Sequence, residues 1–345
     1  MPVIQSHEFF IQCHLTERCN LHCRHCYQTG QKSAEMSLSE IGDIAGEVSD
    51  MVEQWSEAYG LTFSSSFNVT GGEPFMRRDI SGILEEIAKY GFEIYLLTNG
   101  ILVDRDRARM LSKLGVKGVQ VSIEGPETVH DSIRGKGSFS SALKGVQHLL
   151  DAGLVVTLNT TLSAINADSF LQMVELCSSL GVQKLGFSRL VPSGRGQDMR
   201  ASMLDATRIR ELYQSVFSAE SKGVMLVTGD PVASQMSAQV NGDEGPVPCG
   251  GCAAGLSGLT ILSDGTITPC RRLPLPIGNV KKDSLREVWA TSPVLSALRD
   301  RSGYKGKCGT CKRWAQCRGC RAIAYGYSQF HGNGDFLAED PQCFL

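Results

Sequence analysis

Residues 16–27 read T-E-R-C-N-L-H-C-R-H-C-Y and set Cys19, Cys23 and Cys26 in a C-x3-C-x2-C spacing. A mostly apolar run precedes these cysteines and a helical pattern follows, which predicts that the three thiols share one loop after a strand. Three thiolates on so short a loop can hold three corners of an iron–sulfur cube, whereas four thiolate ligands would need another cysteine nearby. No further cysteine follows until Cys177. The spacing would therefore leave one iron open, although a zinc site or buried thiols would also explain three cysteines.

Composition bounds the class of protein. The chain has 345 residues, 42% of them hydrophobic and 20% charged, with a formal net charge of −2. This balance gives no broad attraction to nucleic acid, no apolar run reaches the ~18 residues of a membrane helix, and no secretion signal is visible. Without such a signal, 13 cysteines indicate metal rather than disulfides. We therefore expect a cytoplasmic protein with no nucleic-acid or membrane partner.

Strand-like apolar runs alternate with helical patterns in the first part of the chain. The runs lie at residues 9–15, 62–69, 93–97, 118–123, 155–161 and 184–190, and the helical patterns at 37–59, 78–90, 104–114, 140–152 and 167–180. Short strands that each precede a helix predict an α/β fold with a parallel sheet. Six such units do not fill an eight-unit barrel, and functional groups are expected where the strands end.

The cysteine loop resembles the hallmark of the radical S-adenosylmethionine (SAM) superfamily, in which C-x3-C-x2-C stands with an aromatic residue nearby. The resemblance implies a partial (β/α)6 TIM-like barrel whose three thiolates hold a 4Fe-4S cluster, with the amino and carboxylate groups of SAM on the open iron. It further implies that the reduced cluster cleaves SAM into methionine and a 5′-deoxyadenosyl radical. On this resemblance, His25 and Tyr27 belong to the cofactor site.

A glycine pair follows the second predicted strand. Gly71, Gly72 and Glu73 match the family's G-G-E-P motif, which lines the amino group of SAM. Two glycines let a ligand approach the backbone closely, but a tight turn would explain them as well. The T-N-G at residues 98–100 fits turn chemistry and a ligand contact equally.

Further cofactor contacts are implied after later strands. By the same resemblance, Ser122 contacts the ribose or carboxylate of SAM, and Arg134 of H-D-x-I-R-G pairs with the carboxylate. A guanidinium suits that role because it can bind a carboxylate by two parallel hydrogen bonds. A helix cap or solvent is the alternative for Arg134. Leu190 is assigned to packing on adenine, with a place in the core as its alternative.

A second group of eight cysteines occupies residues 249–345, after a polar stretch at 241–248 that is rich in Gly and Pro. Paired C-x2-C units at this density indicate metal, and zinc ribbons explain the spacing as well as iron–sulfur clusters do. The order of the cysteines resembles the SPASM domain, a C-terminal extension of many radical SAM enzymes. One departure is that the spacing from Cys317 to Cys320 is one residue shorter than usual.

The SPASM resemblance implies two auxiliary 4Fe-4S clusters with interleaved ligands. One would take Cys249, Cys252, Cys270 and Cys320, and the other Cys308, Cys311, Cys317 and Cys343, with Cys249 the least secure ligand. The predicted divisions are a radical SAM partial barrel at residues 1–200, a bridging segment at 201–248 and a SPASM domain at 249–345. The leftover Cys13 and Cys177 lie in apolar patterns, and we expect them to be core thiols.

The resemblance implies an oxidoreductase whose auxiliary clusters relay an electron or bind substrate. SPASM proteins mostly modify peptides and proteins, so we expect a maturase that crosslinks or rearranges a ribosomally made peptide, with flavodoxin or ferredoxin as reductant. The cysteine loop is reached by Cys19, so no N-terminal leader-binding domain fits. A separate leader-peptide-binding protein would then present the substrate, unless the barrel and SPASM surface recognise it alone.

Alternatives remain for the substrate. A haem-type tetrapyrrole is one, and a sulfatase-maturase-like protein oxidase is another. The latter is disfavoured because Arg271 and Arg272, not an aspartate, follow Cys270. These arginines could bind an acidic peptide or a propionate, or lie in solvent. A non-catalytic electron-transfer or zinc protein would not need a SAM pocket. No group is ranked as the catalytic base among carboxylates such as Glu124, Asp230, Asp243 and Glu244.

Overall fold

The structure is a computed structural model that describes residues 6–30, 33–220, 222–236, 251–332 and 334–345. Cys249 and the polar stretch at 241–248, with Asp243 and Glu244, lie outside the described residues. Among the described residues, none of the helices has both the length and the apolar character that crossing a membrane requires.

A ten-stranded sheet runs through the described chain in the order β10-β9-β8-β1-β2-β3-β4-β5-β6-β7. Its strands are β1 Ser6–His14, β2 Thr62–Thr70, β3 Glu93–Thr98, β4 Gly118–Ser122, β5 Val156–Leu162, β6 Lys184–Arg189, β7 Met225–Val227, β8 Gly258–Ile261, β9 Thr266–Thr268 and β10 Gly278–Asn279. Strands β1 to β7 are parallel neighbours, so their carboxyl ends meet at one edge. The predicted α/β class and partial barrel are confirmed.

Helices connect the successive parallel strands as far as residue 218, and four more described α-helices follow the last strand. They are α1 Leu38–Tyr59, α2 Ile80–Ala88, α3 Arg105–Lys113, α4 Glu127–Arg134, α5 Ser138–Asp151, α6 Phe170–Leu180, α7 Ala206–Ser218, α8 Leu285–Thr291, α9 Pro293–Arg299, α10 Gly306–Thr310 and α11 Arg321–Ser328. The start of α1 is fixed by a capping box, in which Ser37 and Glu40 each accept a backbone N–H from the other. Helix α4 was not predicted, because its eight residues are too few and too polar to show an apolar period.

The sheet continues past both predicted domain divisions. Strand β7, in the predicted bridging segment, pairs in parallel with β6. Strand β8, in the predicted SPASM domain, pairs in parallel with β1 at the other edge. A Cβ on Gly258 would lie 2.4 Å from the carbonyl oxygen of Phe10, so this pairing requires glycine there. Strands β8 and β9 form an antiparallel hairpin, which ties the C-terminal cysteines to the barrel edge.

Candidate active site and cluster sites

A cavity of about 930 Å³, including its open mouth, lies at the carboxyl ends of the parallel strands. All three cysteines of the loop line it, as do residues from the ends of β2 to β6. The predicted site residues His25, Tyr27, Gly71, Gly72, Ser122 and Arg134 are among its lining. The structure thus brings together side chains that are more than 100 residues apart, at the edge where parallel strands place function.

The cysteine loop presents its sulfurs to polar donors. The backbone N–H of Leu21 lies 3.4 Å from Cys19 Sγ, and Asn99 Nδ2 lies 3.8 Å from the same atom. Arg134 Nη1 lies 3.7 Å from Cys23 Sγ. Donors aimed at sulfur suit thiolates that carry the negative charge of an iron–sulfur cluster. The residues present therefore fit the cluster that the family implies.

Burial shapes the chemistry of these thiols. It raises the pKa of Cys19 to about 11, and it raises the pKa of Cys26 as well. Neutral thiols must lose their protons when they ligate iron, so cluster assembly is coupled to proton release. Cys13 and Cys177 lie away from the cysteine loop, and both are fully buried in the apolar core. Burial raises the pKa of each thiol to about 12.

The glycine pair after β2 lies directly under the cysteine loop. A Cβ on Gly72 would stand 2.3 Å from the carbonyl oxygen of Arg18, and one on Gly71 would stand 2.6 Å from that of Thr16. The backbone N–H of Gly72 donates to the Thr16 carbonyl at 2.6 Å, and that of Glu73 donates to the Arg18 carbonyl at 2.8 Å. The glycines therefore let the backbone after β2 support the cysteine loop at contact distance, besides lining the cavity.

Glu73 lies behind the cavity wall and accepts hydrogen bonds from residues that line the cavity. Its buried carboxylate accepts hydrogen bonds from Thr98 Oγ1 at 2.8 Å and from the Asn99 N–H at 2.9 Å. Burial raises the pKa of Glu73 to about 7, and these donors, with the Phe75 N–H, partly offset that rise. Both Thr98 and Asn99 line the cavity, while Glu73 is not among the described lining residues. The carboxylate thus orients the turn after β3.

A buried carboxylate connects the cysteine loop to α4. Glu124 is fully buried and accepts from Arg134 Nε at 2.8 Å, from Arg134 Nη2 at 2.5 Å and from the Thr161 N–H at 2.8 Å. Its Oε1 also lies 3.0 Å from His25 Nε2. The pKa of Glu124 is well below its usual range, because Arg134 and His25 outweigh the effect of burial. Arg134 is therefore held by one edge of its guanidinium, and Nη1 is the nitrogen that faces Cys23.

Leu190 does not face the cavity in the described structure. It is 1% exposed and directly follows β6, and the adjacent Val191 is the residue that lines the cavity. At this strand end, Val191 is therefore the residue that faces the cavity, and the adenine contact remains a prediction.

Three arginines from two loops complete the cavity wall. Arg271 and Arg272, which follow Cys270, line it, and Arg195 donates from Nε to the Cys23 carbonyl at 3.1 Å. The guanidinium of Arg271 lies 5.7 Å from the ring centre of Tyr27. Neither Arg271 nor Arg272 is a solvated surface arginine, because both are half-buried in the wall.

Four C-terminal cysteines surround a second cavity. Its lining includes Cys308, Cys311, Cys317 and Cys343, the set predicted for one auxiliary cluster. Donors again point at sulfur: Gln235 Nε2 lies 3.4 Å from Cys343 Sγ, and Arg321 Nη2 lies 3.5 Å from Cys308 Sγ. The donor set fits a thiolate-bound cluster.

Three cysteines of the other predicted auxiliary set, Cys252, Cys270 and Cys320, are described. Cys270 and Cys320 share an apolar cluster with Leu273. Burial raises the pKa of Cys320 to about 12, an effect that Arg272 opposes. The Cys252 N–H donates to the Cys317 carbonyl at 3.2 Å, so the two sets are neighbours. The role of Cys249 remains a prediction.

A buried arginine joins the barrel to the C-terminal segment. Arg189, at the end of β6, has a side chain that is 0% exposed and ion-pairs with Asp230 at 2.7 Å and with Asp340 at 2.8 Å. Asp340 also accepts the Cys320 N–H at 2.7 Å. The sequence singled out Glu124 and Asp230 as carboxylates without a role but did not reveal their partners, because those partners are far apart along the chain and no local pattern marks them.

Comparison with known proteins agrees with this geometry. Residues 14–177 match the family model of the radical SAM superfamily, and residues 252–321 match an iron–sulfur cluster-binding domain, SPASM. An AdoMet-dependent heme synthase of Methanosarcina barkeri is 31% identical, over 95% of this chain and 94% of that protein. The mycofactocin maturase MftC of Mycobacterium tuberculosis is 30% identical, over 95% of this chain and 81% of that protein.

A solved structure gives the same fold. The crystal structure of Streptococcus suis SuiB bound to S-adenosylmethionine superposes with a TM-score of 0.77 at 17% identity, covering 99% of this chain and 78% of SuiB. The cysteine loop, the cavity at the strand ends and the two C-terminal cysteine sets agree with these matches. The chain is an enzyme that belongs to the radical SAM superfamily, with SAM and iron–sulfur clusters as cofactors and a C-terminal SPASM domain.

Proposed function

We propose that this enzyme modifies a haem-type tetrapyrrole whose carboxylates bind to the arginines that line the cavity at the strand ends. The observation that carries the proposal is the charge of the cavity wall. Five arginines line the cavity, and none of its described lining residues is an aspartate or a glutamate. The five are Arg134, Arg189, Arg195, Arg271 and Arg272.

Two of the five arginines are neutralised from behind the wall. Glu124 pairs with Arg134, while Asp230 and Asp340 pair with Arg189. Within the described part of the chain, no ion pair joins Arg195, Arg271 or Arg272 to a carboxylate. Three cations on one wall without protein counter-charges favour an anionic ligand.

SAM alone would not balance this wall, because it brings a single carboxylate together with two cationic groups. The cavity is open to solvent and its arginines outnumber the single carboxylate of SAM, which favours a second, anionic ligand beside SAM. A tetrapyrrole carries several carboxylates on the rim of a rigid macrocycle, so it can reach arginines on separate loops at a low cost in entropy. The similarity to a heme synthase over nearly the full chain supports the same substrate class.

We assign the SAM contacts to Gly71, Gly72, Ser122 and Arg134, with Val191 replacing Leu190 beside the adenine. The bound cluster and SAM would supply a carbon radical that removes hydrogen from the substrate. The task of Arg271 and Arg272 is to hold a substrate carboxylate so that one carbon faces the cysteine loop. A reductant such as flavodoxin or ferredoxin would supply electrons, and we place the reaction in the cytoplasm, where thiols stay reduced.

A ribosomally made peptide is the second candidate substrate. It is favoured by the 30% identity to the maturase MftC, and acidic side chains of a peptide could meet the same arginines. In that case, a separate leader-peptide-binding protein would be the expected partner. The two candidates share the radical step and differ in what the arginines bind.

The proposal would be tested by titrating iron coproporphyrin III into anaerobically reconstituted protein in the presence of SAM. Binding would be monitored by the change in the Soret band. Saturable binding is expected for the wild type, and Arg271→Gln should weaken it by about 10- to 100-fold, since a charge-assisted hydrogen bond contributes ~1.5–3 kcal/mol. Arg109→Gln is a matched control, because that side chain is 67% exposed on α3. Unchanged affinity in Arg271→Gln, or tight binding only of an acidic peptide, would overturn the tetrapyrrole assignment.

A further inference from the structure

One turn of the chain carries both a cluster cysteine and two arginines of the cavity wall. The N–H of Leu273 donates to the carbonyl of Cys270 at 2.9 Å, so Arg271 and Arg272 are the central residues of a β-turn. At its base, Cys270 and Leu273 pack with Cys320. Its tip lines the cavity. The turn therefore spans the space between the cavity and one auxiliary-cluster site.

The two arginines of this turn have different surroundings. Arg271 lies over the ring of Tyr27. Arg272 Nη1 reaches Ser188 Oγ at 3.4 Å, and its Nε is buried without a hydrogen-bond partner in the described structure. Buried donors are almost always satisfied, so an unpaired guanidinium nitrogen indicates a partner supplied by a bound group.

The position of Arg272 also places its charge near the cysteines behind it. In the turn, Arg272 lies two residues after the predicted ligand Cys270, and Cys270 and Leu273 at the base of the turn pack with Cys320. The fixed charge of Arg272 therefore lies between the cavity and this set of cysteines.

We propose that Arg272 sets the reduction potential of the auxiliary cluster held by Cys252, Cys270 and Cys320, and that an anion bound to Arg272 in the cavity lowers that potential. Reduction adds a negative charge to a thiolate-bound cluster, so a nearby fixed cation stabilises the reduced form. A carboxylate on the same guanidinium would offset the cation. The second half of this inference rests on the proposed function, and the first half does not.

The test is a redox titration followed by electron paramagnetic resonance, on Cys19/Cys23/Cys26→Ala protein that retains only the auxiliary clusters. Arg272→Gln should lower one of the two auxiliary midpoint potentials and leave the other in place, and Arg272→Lys should keep most of the wild-type value. Two unchanged potentials, or two that move equally, would overturn the proposal.

The iron content of both variants shows whether a change in potential comes from the loss of a cluster. If Arg272→Gln loses one cluster and Arg272→Lys keeps it, the requirement for a charge at this position is supported. If both variants lose it, the claim about charge fails. In the same background, iron coproporphyrin III should lower the same single potential of the Arg272 protein. No shift on adding it, with the variant effects intact, would count against the proposed substrate alone.

Discussion

Replacing Arg189 by methionine should destabilise the protein strongly, because the guanidinium is the shared counter-charge of two buried carboxylates. Its nitrogens donate to Asp230 at 2.7 and 3.0 Å, to Asp340 at 2.9 and 2.8 Å, and to Gln342 at 3.0 Å. Removing one partner of a buried ion pair costs ~3–5 kcal/mol, since it leaves a buried charge without compensation. For a chain of this length, that corresponds to a fall in Tm of about 4–7 °C.

The loss should depend on pH in a defined direction. Burial alone would raise the pKa of Asp340, but Arg189 overrides it and holds the pKa below its usual value. In wild type, the stability from this group is present at neutral pH and is lost only as pH falls through that depressed pKa. In Arg189→Met, burial is opposed only by the hydrogen bonds from the Cys320 and Gln342 N–H groups, so the pKa of Asp340 rises and protonation stabilises the variant as pH falls. The difference between the two proteins should therefore be smaller at pH 5.5 than at pH 7.5.

The assay is anaerobic thermal unfolding at a fixed scan rate, with Arg208→Met as the control. Arg208 is 46% exposed and pairs with Asp168 and Glu211 at the surface, so its loss should cost no more than ~1 kcal/mol. If Arg189→Met melts within the range of this control, or if its deficit grows as pH falls, then the buried network does not join the barrel to the C-terminal segment as described.

Three further predictions concern the SAM cavity and the clusters. Glu124→Gln should weaken SAM binding by about tenfold, because Arg134 loses a charged partner worth ~1.5–3 kcal/mol. The affinity would be measured by calorimetry on unreduced protein, and Glu127→Gln at an exposed position on α4 should leave it unchanged. Gly72→Ala should reduce bound iron by about four atoms per chain, since its Cβ would meet the Arg18 carbonyl at 2.3 Å, whereas Gly229→Ala meets nothing within 4 Å. Wild-type protein should hold about twelve irons and Cys19/Cys23/Cys26→Ala about eight; zinc in the C-terminal half would refute the auxiliary clusters.

Local features of the sequence predicted much of the fold. The first six strands were predicted with ends within about three residues of the observed ones, because each strand carries apolar residues on the face that packs into the core. The C-x3-C-x2-C loop and the paired C-terminal cysteines also predicted metal sites, because their ligands are close together along the chain. Leu190 was predicted to face the cofactor, whereas the next residue, Val191, lines the cavity. The point at which a strand ends decides which side chain turns to the cavity.

Contacts between distant residues could not be predicted in this way. Arg189 and Asp340 are 151 residues apart, and Glu124 meets His25 across 99 residues. Each of these charged residues would suit an exposed surface equally well. Only the assembled sheet shows that they are buried and paired. The unpaired arginines of the cavity wall, which underlie the proposed substrate, are visible for the same reason only in the folded chain.

The most direct test of the proposed reaction follows hydrogen from substrate to cofactor. Reduced, reconstituted enzyme would be incubated with SAM and iron coproporphyrin III deuterated in its propionate side chains, and the 5′-deoxyadenosine formed would be analysed by mass spectrometry. We predict that deuterium appears in 5′-deoxyadenosine, and that Arg271→Gln strongly reduces this transfer. Cleavage of SAM without deuterium transfer, while an acidic peptide supplies the hydrogen instead, would contradict the tetrapyrrole assignment.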